Sequence, residues 1–202
     1  MSQPELSETV VSADPITQFA RWFTDAVAAG LDEPNAMTLA TAARDGAPSA
    51  RVVLMKEFDA RGFVFFTNYE SRKARELDEN PRAALVFLWP ALARQVRAAG
   101  RVERVSAAES DAYFHSRPLD AQLSAWASPQ SRPLADRAEL EARFLQLQAK
   151  YAGQAVPRPA YWGGYRLVPD EVEFWQERPQ RLHDRLLYRR AGESWTITRL
   201  AP

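Results

Sequence analysis

From Ala36 onward the hydrophobic period of this chain changes, and that change limits the fold more than any other feature of the sequence. Before it, Ile16, Phe19, Ala20, Phe23 and Val27 recur at helical spacing, which predicts one amphipathic helix over 15–29. Asp14-Pro15 supplies an N-cap and a first-turn proline, and Gly30 a stop. After it, the apolar residues come in short runs bounded by turn residues. Segments 36–43 and 50–57 read as a hairpin about Arg44-Asp45-Gly46, and 63–67, 83–89 and 94–105 as further strands. Three more close the chain at 161–167, 172–176 and 186–190, the last turning at Ala191-Gly192 into 195–200. Helices interrupt this series at 72–79, at 107–116 behind the capping box Ser106-Ala107-Ala108-Glu109, at 118–126, and at 134–151. About seven or eight short strands joined mostly by hairpins predict a mainly β protein with peripheral helices (α+β), built as an antiparallel barrel. A parallel nucleotide-binding sheet is disfavoured, because strand and helix do not alternate and the 8 glycines form neither G-x-G-x-x-G nor a Walker loop.

Composition narrows the function classes. The formal charge is zero, which demotes a nucleic-acid binder. No run approaches the ~18 apolar residues of a membrane span. The N-terminus lacks the basic and apolar regions of a secretory signal. With no cysteine, disulfides, thiolate nucleophiles and Cys-based metal sites drop out together. His115 and His183 are the only imidazoles, so a metal-free cytoplasmic protein is expected. Residues 1–13 carry no periodicity and read as a flexible tail, leaving 14–202 as a single domain.

Four clusters are candidates for chemistry. Arg51-Val52-Val53-Leu54-Met55-Lys56 places a cation at each end of a strand, and five residues of alternation would turn the two to opposite sides. Thr67-Asn68-Tyr69-Glu70-Ser71-Arg72-Lys73 is a strand end feeding a helix N-terminus. It suits a phosphate, although Arg72-Lys73 standing alone reads better as an exposed helix face. Tyr113 and Arg117 are four apart on a helix, able to share a phosphate or simply to cap the helix end. The fourth is Val172-Glu173-Phe174-Trp175-Gln176, a short turn with Pro179, then Arg181, His183 and Arg185 at spacing two. If extended, those three side chains point one way toward an anionic or electron-rich ligand, the alternative being a solvated basic edge. Gln95 and Gln130-Ser131 are neutral hydrogen-bonding groups of the kind that read a flavin or pyridine edge.

The run E-F-W-Q, four residues, then R-L-H-D-R resembles the C-terminal signature of the pyridoxine (pyridoxamine) 5′-phosphate oxidases, and the other clusters match that family in order and spacing from about Asp14 to Pro202. The resemblance implies an FMN-binding split β-barrel and a homodimer with FMN at the subunit interface. It implies that pyridoxamine or pyridoxine 5′-phosphate is oxidised to pyridoxal 5′-phosphate by O2. By the same resemblance, Arg51 through Lys56, Phe66, Thr67, Arg72 and Lys73 bind FMN, and Gln95, Gln130, Ser131, Trp175 and Arg185 complete its pocket. Lys56, Tyr113 and Arg117 hold the substrate phosphate, with Arg181 and His183 over the pyridine ring as the catalytic pair. Two positions depart from the family. Ala121 stands where a serine usually contacts the phosphate, and Met1–Ala13 contains no Arg-x-x-Tyr element. These departures keep two alternatives open: a related flavin oxidase or reductase acting on another small molecule, and a low-turnover flavin or pyridoxal-phosphate carrier.

Overall fold

The computed structural model describes residues 5–202. Helix α1 (Pro15–Ala28) begins where the sequence predicts, with the Asp14 carboxylate accepting from the Thr17 N–H at 2.7 Å. Its apolar stripe closes one end of a curled antiparallel sheet, and Phe19, fully buried, meets Phe58, Phe63, Phe87 and Trp89 at ring-centroid distances of 4.9–6.0 Å. The sheet has nine strands: β1 (Ala36–Ala42), β2 (Pro48–Leu54), β3 (Glu57–Asp59), β4 (Gly62–Asn68), β5 (Arg82–Trp89), β6 (Arg94–Arg104), β7 (Trp162–Gln176), β8 (Asp184–Ala191) and β9 (Ser194–Arg199). Strand order is β2-β1-β5-β6-β7-β4-β3, with β8 and β9 continuing from β7. Alternation places Met37, Leu39, Leu85, Phe87, Val96 and Ala98 inside. Among the described residues the result is a half-barrel, mainly antiparallel, with five α-helices.

Strand β7 is where the barrel splits. Its first half pairs with β4 and its second half with β8, while β6 follows it along most of its length. The two strands expected at 161–167 and 172–176 are therefore one. The apparent break at Val168-Pro169-Asp170 is a register shift, in which Ala99 pairs with Glu171 and Gly100 with Pro169. A proline can sit in a strand at such a bulge because no ladder hydrogen bond is asked of its nitrogen. A Cβ on Gly100 would lie 2.0 Å from the Val168 carbonyl oxygen and 2.8 Å from Pro169 Cα, both backbone atoms. Gly100→Ala is accordingly expected to destabilise the fold by about 3 kcal/mol, the upper end of overpacking costs. Denaturant melts check this, and an unchanged midpoint would show that the bulge yields.

Helices α2 (Arg72–Glu79), α3 (Ala107–Ser116), α4 (Leu119–Ala127) and α5 (Arg137–Lys150) flank the sheet. The last starts three residues later than its periodicity predicts, because Asp136 caps it by accepting from the Glu139 N–H. Phe114, Leu123, Val156 and Trp162 form a second small core beneath α3 and α4. The tail expectation needs correction for residues 5–13. Leu6 is buried, the Tyr188 hydroxyl donates to the Ser12 carbonyl, and Arg199 donates to the Leu6 carbonyl and the Glu8 carboxylate. These partners lie more than 170 residues away, so no local pattern could announce them. Residues 1–4 lie outside the described part. Among the described residues no helix is long and apolar enough to cross a membrane, and no group of three or more His, Asp or Glu is placed to hold a metal.

Candidate active site

A cleft of about 540 Å³ opens between β2, the end of β4, the first turn of α2 and the α3–α4 corner. Eleven of the residues singled out in the sequence line it: Arg51, Val52, Val53, Leu54, Lys56, Phe66, Thr67, Lys73, Tyr113, Arg117 and Gln130. Pro118, Ala121 and Trp162 complete the wall. Four of these residues are cations and none is a carboxylate, so a chain of zero net charge concentrates positive potential here. Arg51 and Lys56 share the cleft, contrary to the opposed facing expected from alternation. Strand β2 ends at Leu54, Met55 turns into the core, and the count of alternate residues stops applying before Lys56.

At one end of the cleft, Ser71 caps α2 by accepting from the Ala74 N–H. Lys73, in the first turn, donates to Gln130 Oε1 at 2.9 Å and to Thr67 Oγ1 at 3.2 Å. Burial, reinforced by the Arg51 charge and opposed by Glu76, lowers the Lys73 pKa to about 8. Beneath them lies the Glu76 carboxylate. Burial alone would raise its pKa, but hydrogen bonds from Ser49, Thr41, Arg72 and Arg51 outweigh this and hold it at about 2. At the other end, Phe66, Tyr113 and Trp162 stack nearly parallel, with centroids 4.0 and 5.6 Å from Phe66. The Arg117 guanidinium lies 4.7 Å from the Trp162 ring centroid. Its buried Nη1 has no hydrogen-bond partner among the described residues. A buried donor on a cation is costly to leave unpaired.

The remaining flagged residues lie elsewhere. Met55 belongs to the core; Arg72 is exposed and donates to Glu76 at 2.8 Å; Ser131 is exposed with a φ of 69°. Gln95, Trp175 and Arg185 form a row across β6, β7 and β8, as cross-strand partners. Phe66 pairs with Gly164 and Gln95 with Trp175, so the two groups sit eleven residues apart on β7. That is about 35 Å of strand at ~3.3 Å per residue. Arg185 is held by Glu173 at 2.7 Å and donates to the Ala201 carbonyl.

The extended Arg181-His183-Arg185 edge does not form. Pro179–Arg181 is a 3-10 turn with positive φ at Gln180 and Arg181, and β8 begins only at Asp184. His183 nevertheless joins the row from its turn, its ring 4.7 Å from that of Trp175. The Arg178 N–H donates to His183 Nδ1, so the neutral ring carries its proton on Nε2. Arg181 is exposed beside it.

Sequence reasoning passed over Glu76, Trp162, Thr41 and Ser49. Only Glu76 left a local signal, its i,i+4 spacing from Arg72. Thr41 and Ser49 meet it through sheet pairing.

The fold is similar to that of a solved pyridoxamine 5′-phosphate oxidase-related, FMN-binding protein from Nostoc punctiforme. It superposes with a TM-score of 0.73 at 20% identity over 91% of this chain and 97% of that one, a likeness of fold. Sequence goes further. The family profile described as pyridoxamine 5′-phosphate oxidase matches residues 23–151, and that of the pyridoxine 5′-phosphate oxidase C-terminal dimerisation region matches 162–202. The chain belongs to the pyridoxamine 5′-phosphate oxidase family of enzymes. It is 62% identical to a pyridoxine/pyridoxamine 5′-phosphate oxidase of Thermosynechococcus vestitus over 98% of this chain and 93% of that one. It is 61% identical to one of Bordetella pertussis, with the same two coverages. The solved PhzG of Burkholderia lata, in complex with tetrahydrophenazine-1-carboxylic acid, is 38% identical with a TM-score of 0.92, covering 98% of each chain.

Proposed function

We propose that this chain is a cytoplasmic FMN-dependent oxidase that converts pyridoxamine or pyridoxine 5′-phosphate to pyridoxal 5′-phosphate with O2. The observation that carries the reading is the cleft with four cations, no carboxylate and an unpartnered buried nitrogen on Arg117. Its size is within the range of small-molecule sites. The residues fit two phosphates at separate ends. Lys73, Thr67 and Arg51, at the α2 N-terminus, suit the FMN phosphate. Lys56, Tyr113 and Arg117 suit the substrate phosphate, with Ala121 contributing no hydroxyl there. When bound, FMN supplies the two-electron redox chemistry that O2 completes. The protein's part is orientation: anchoring the phosphate fixes the ring, and the aromatic wall keeps it flat.

Two copies of the chain complete each site in this reading. The dimerisation-region match supports a homodimer, and so does the distance along β7 between the cleft and the Gln95-Trp175-Arg185 row. That row, with His183 and Arg181, would close the cleft of the other copy. Leu88, pairing with Gln95, and Leu182 are large apolar side chains left 60% and 65% exposed beside it, which a partner surface would cover. Reconstitution with FMN followed by steady-state oxidation of pyridoxamine 5′-phosphate, with peroxide detection, tests the whole. No retained flavin, or flavin without turnover, would rule it out. The similarity to PhzG favours a second reading, an oxidase of a phosphate-free aromatic acid, which the same assay separates by substrate.

Within this reading, His183 presents Nε2–H as a donor, and Arg181 an exposed charge, to the reacting carbon's surroundings. Alanine at either position is expected to lower kcat about 10²-fold, the usual cost of a lost positioning contact, with FMN affinity nearly unchanged. Equal kcat in variant and parent would make the turn a structural element only.

A further inference from the structure

The structure assigns Glu76 a role that the functional reading above does not include, although it rests on that reading. We infer that Glu76 is the positioning residue of the FMN-phosphate end of the cleft: its buried carboxylate fixes Arg51 and balances the Arg51, Arg72 and Lys73 charges against a phosphate monoester. Its side chain is only 8% exposed and stands behind the cleft wall. One oxygen accepts from the Thr41 hydroxyl at 2.5 Å, the Ser49 hydroxyl at 2.6 Å and Arg51 Nη2 at 3.3 Å. The other accepts from Arg72 Nε at 2.8 Å. Thr41 and Ser49 in turn accept from Arg51, whose Nη1 also reaches the Leu39 carbonyl. Arg51 is thus gripped from behind by three side chains and one carbonyl, and cannot swing away from the cleft without breaking the whole set.

Charge points the same way. Glu76 is paired with Arg72 outside the cleft, so Arg51 and Lys73 present two positive charges to the cleft when Lys73 is protonated, matched to a phosphate monoester of about −1.5 to −2 at pH 7. The charged groups facing Lys73 are Arg51 from β2 and Glu76 from its own helix; its other neighbours, Thr67 from β4 and Gln130 from the segment after α4, are neutral. Glu76 is therefore the one acidic group that favours the charged form of Lys73 among those facing it. In the flavin-free protein Lys73 titrates near pH 8, and phosphate binding raises that value. FMN affinity is then steady just below pH 8 and falls as pH rises through it.

The test is FMN titration of the flavin-stripped full chain by fluorescence, from pH 6.5 to 10, in the parent and in Glu76→Gln. The amide keeps the shape and a hydrogen-bonding oxygen but removes the charge. The alkaline fall is expected to begin roughly half to one pH unit lower, the effect of one charge a few ångströms away in a partly solvated medium. Ser49→Ala, which loses a hydrogen bond but keeps the carboxylate, is expected to leave the alkaline midpoint in place, which separates charge balance from mere support. Should Glu76→Gln not fold, Glu76→Asp withdraws the charge by one methylene and is expected to give a smaller shift in the same direction. An alkaline midpoint identical to the parent's in the folded Glu76 variant overturns the inference alone. A parent that binds no FMN overturns the functional reading, and the inference with it.

Discussion

Arg117→Ala is expected to raise the KM for pyridoxamine 5′-phosphate by about 10- to 100-fold, with kcat and bound flavin little changed. The reason is the state of this side chain in the cleft: its guanidinium rests on Trp162, and one buried nitrogen has no hydrogen-bond partner among the described residues. Hydrogen bonds to charged groups contribute about 1.5–3 kcal/mol, which corresponds to that range of affinity. A phosphate distant from the reacting carbon is gripped alike in ground and transition states, so the loss belongs in KM. Steady-state kinetics at fixed FMN saturation decide it. A fall in kcat at constant KM would move Arg117 from anchoring to chemistry, and a colourless protein would place it at the flavin.

Leu88→Glu is the second large effect. Leu88 projects from β5 beside Gln95 and is left 60% exposed. If a second copy covers it, a carboxylate there would be buried without a partner, at a cost of several kcal/mol. The expected result is a monomer in sedimentation at micromolar concentration, with FMN bound at least about tenfold more weakly, because site completion and association are linked. A variant that stays dimeric would place Leu88 outside the interface, and a monomer with full FMN affinity would show that each cleft is self-sufficient.

How much of this the sequence discloses depends on the range of the interaction. Helix α3 begins where the Ser106–Glu109 capping box places it, because both halves of that box lie within four residues. The hairpins and most strands follow from alternation for the same reason. Alternation, however, does not say where a strand stops. It carried the count past Leu54 to Lys56 and past Asp184 back to Arg181, and at both places the backbone had already left the strand. The opposite error occurred at Pro169, where a proline reads locally as a break and tertiary pairing accommodates it as a bulge. Glu76 escaped notice because Thr41, Ser49 and Arg51 converge on it across 25–35 residues of sequence. The resemblance supplied residues for one pocket. The structure shows them as two groups at opposite ends of one strand.

That division along β7 has a genetic meaning if two copies share each site. The cleft end and the Trp175 end of the same strand then serve different reaction centres, one belonging to each neighbour. A lesion at Arg117 and a lesion at His183, carried on separate polypeptides, would meet in one centre of a mixed dimer and leave the other untouched. Two inactive alleles could then yield one working centre in each mixed dimer, whereas the same two changes on one polypeptide would leave none.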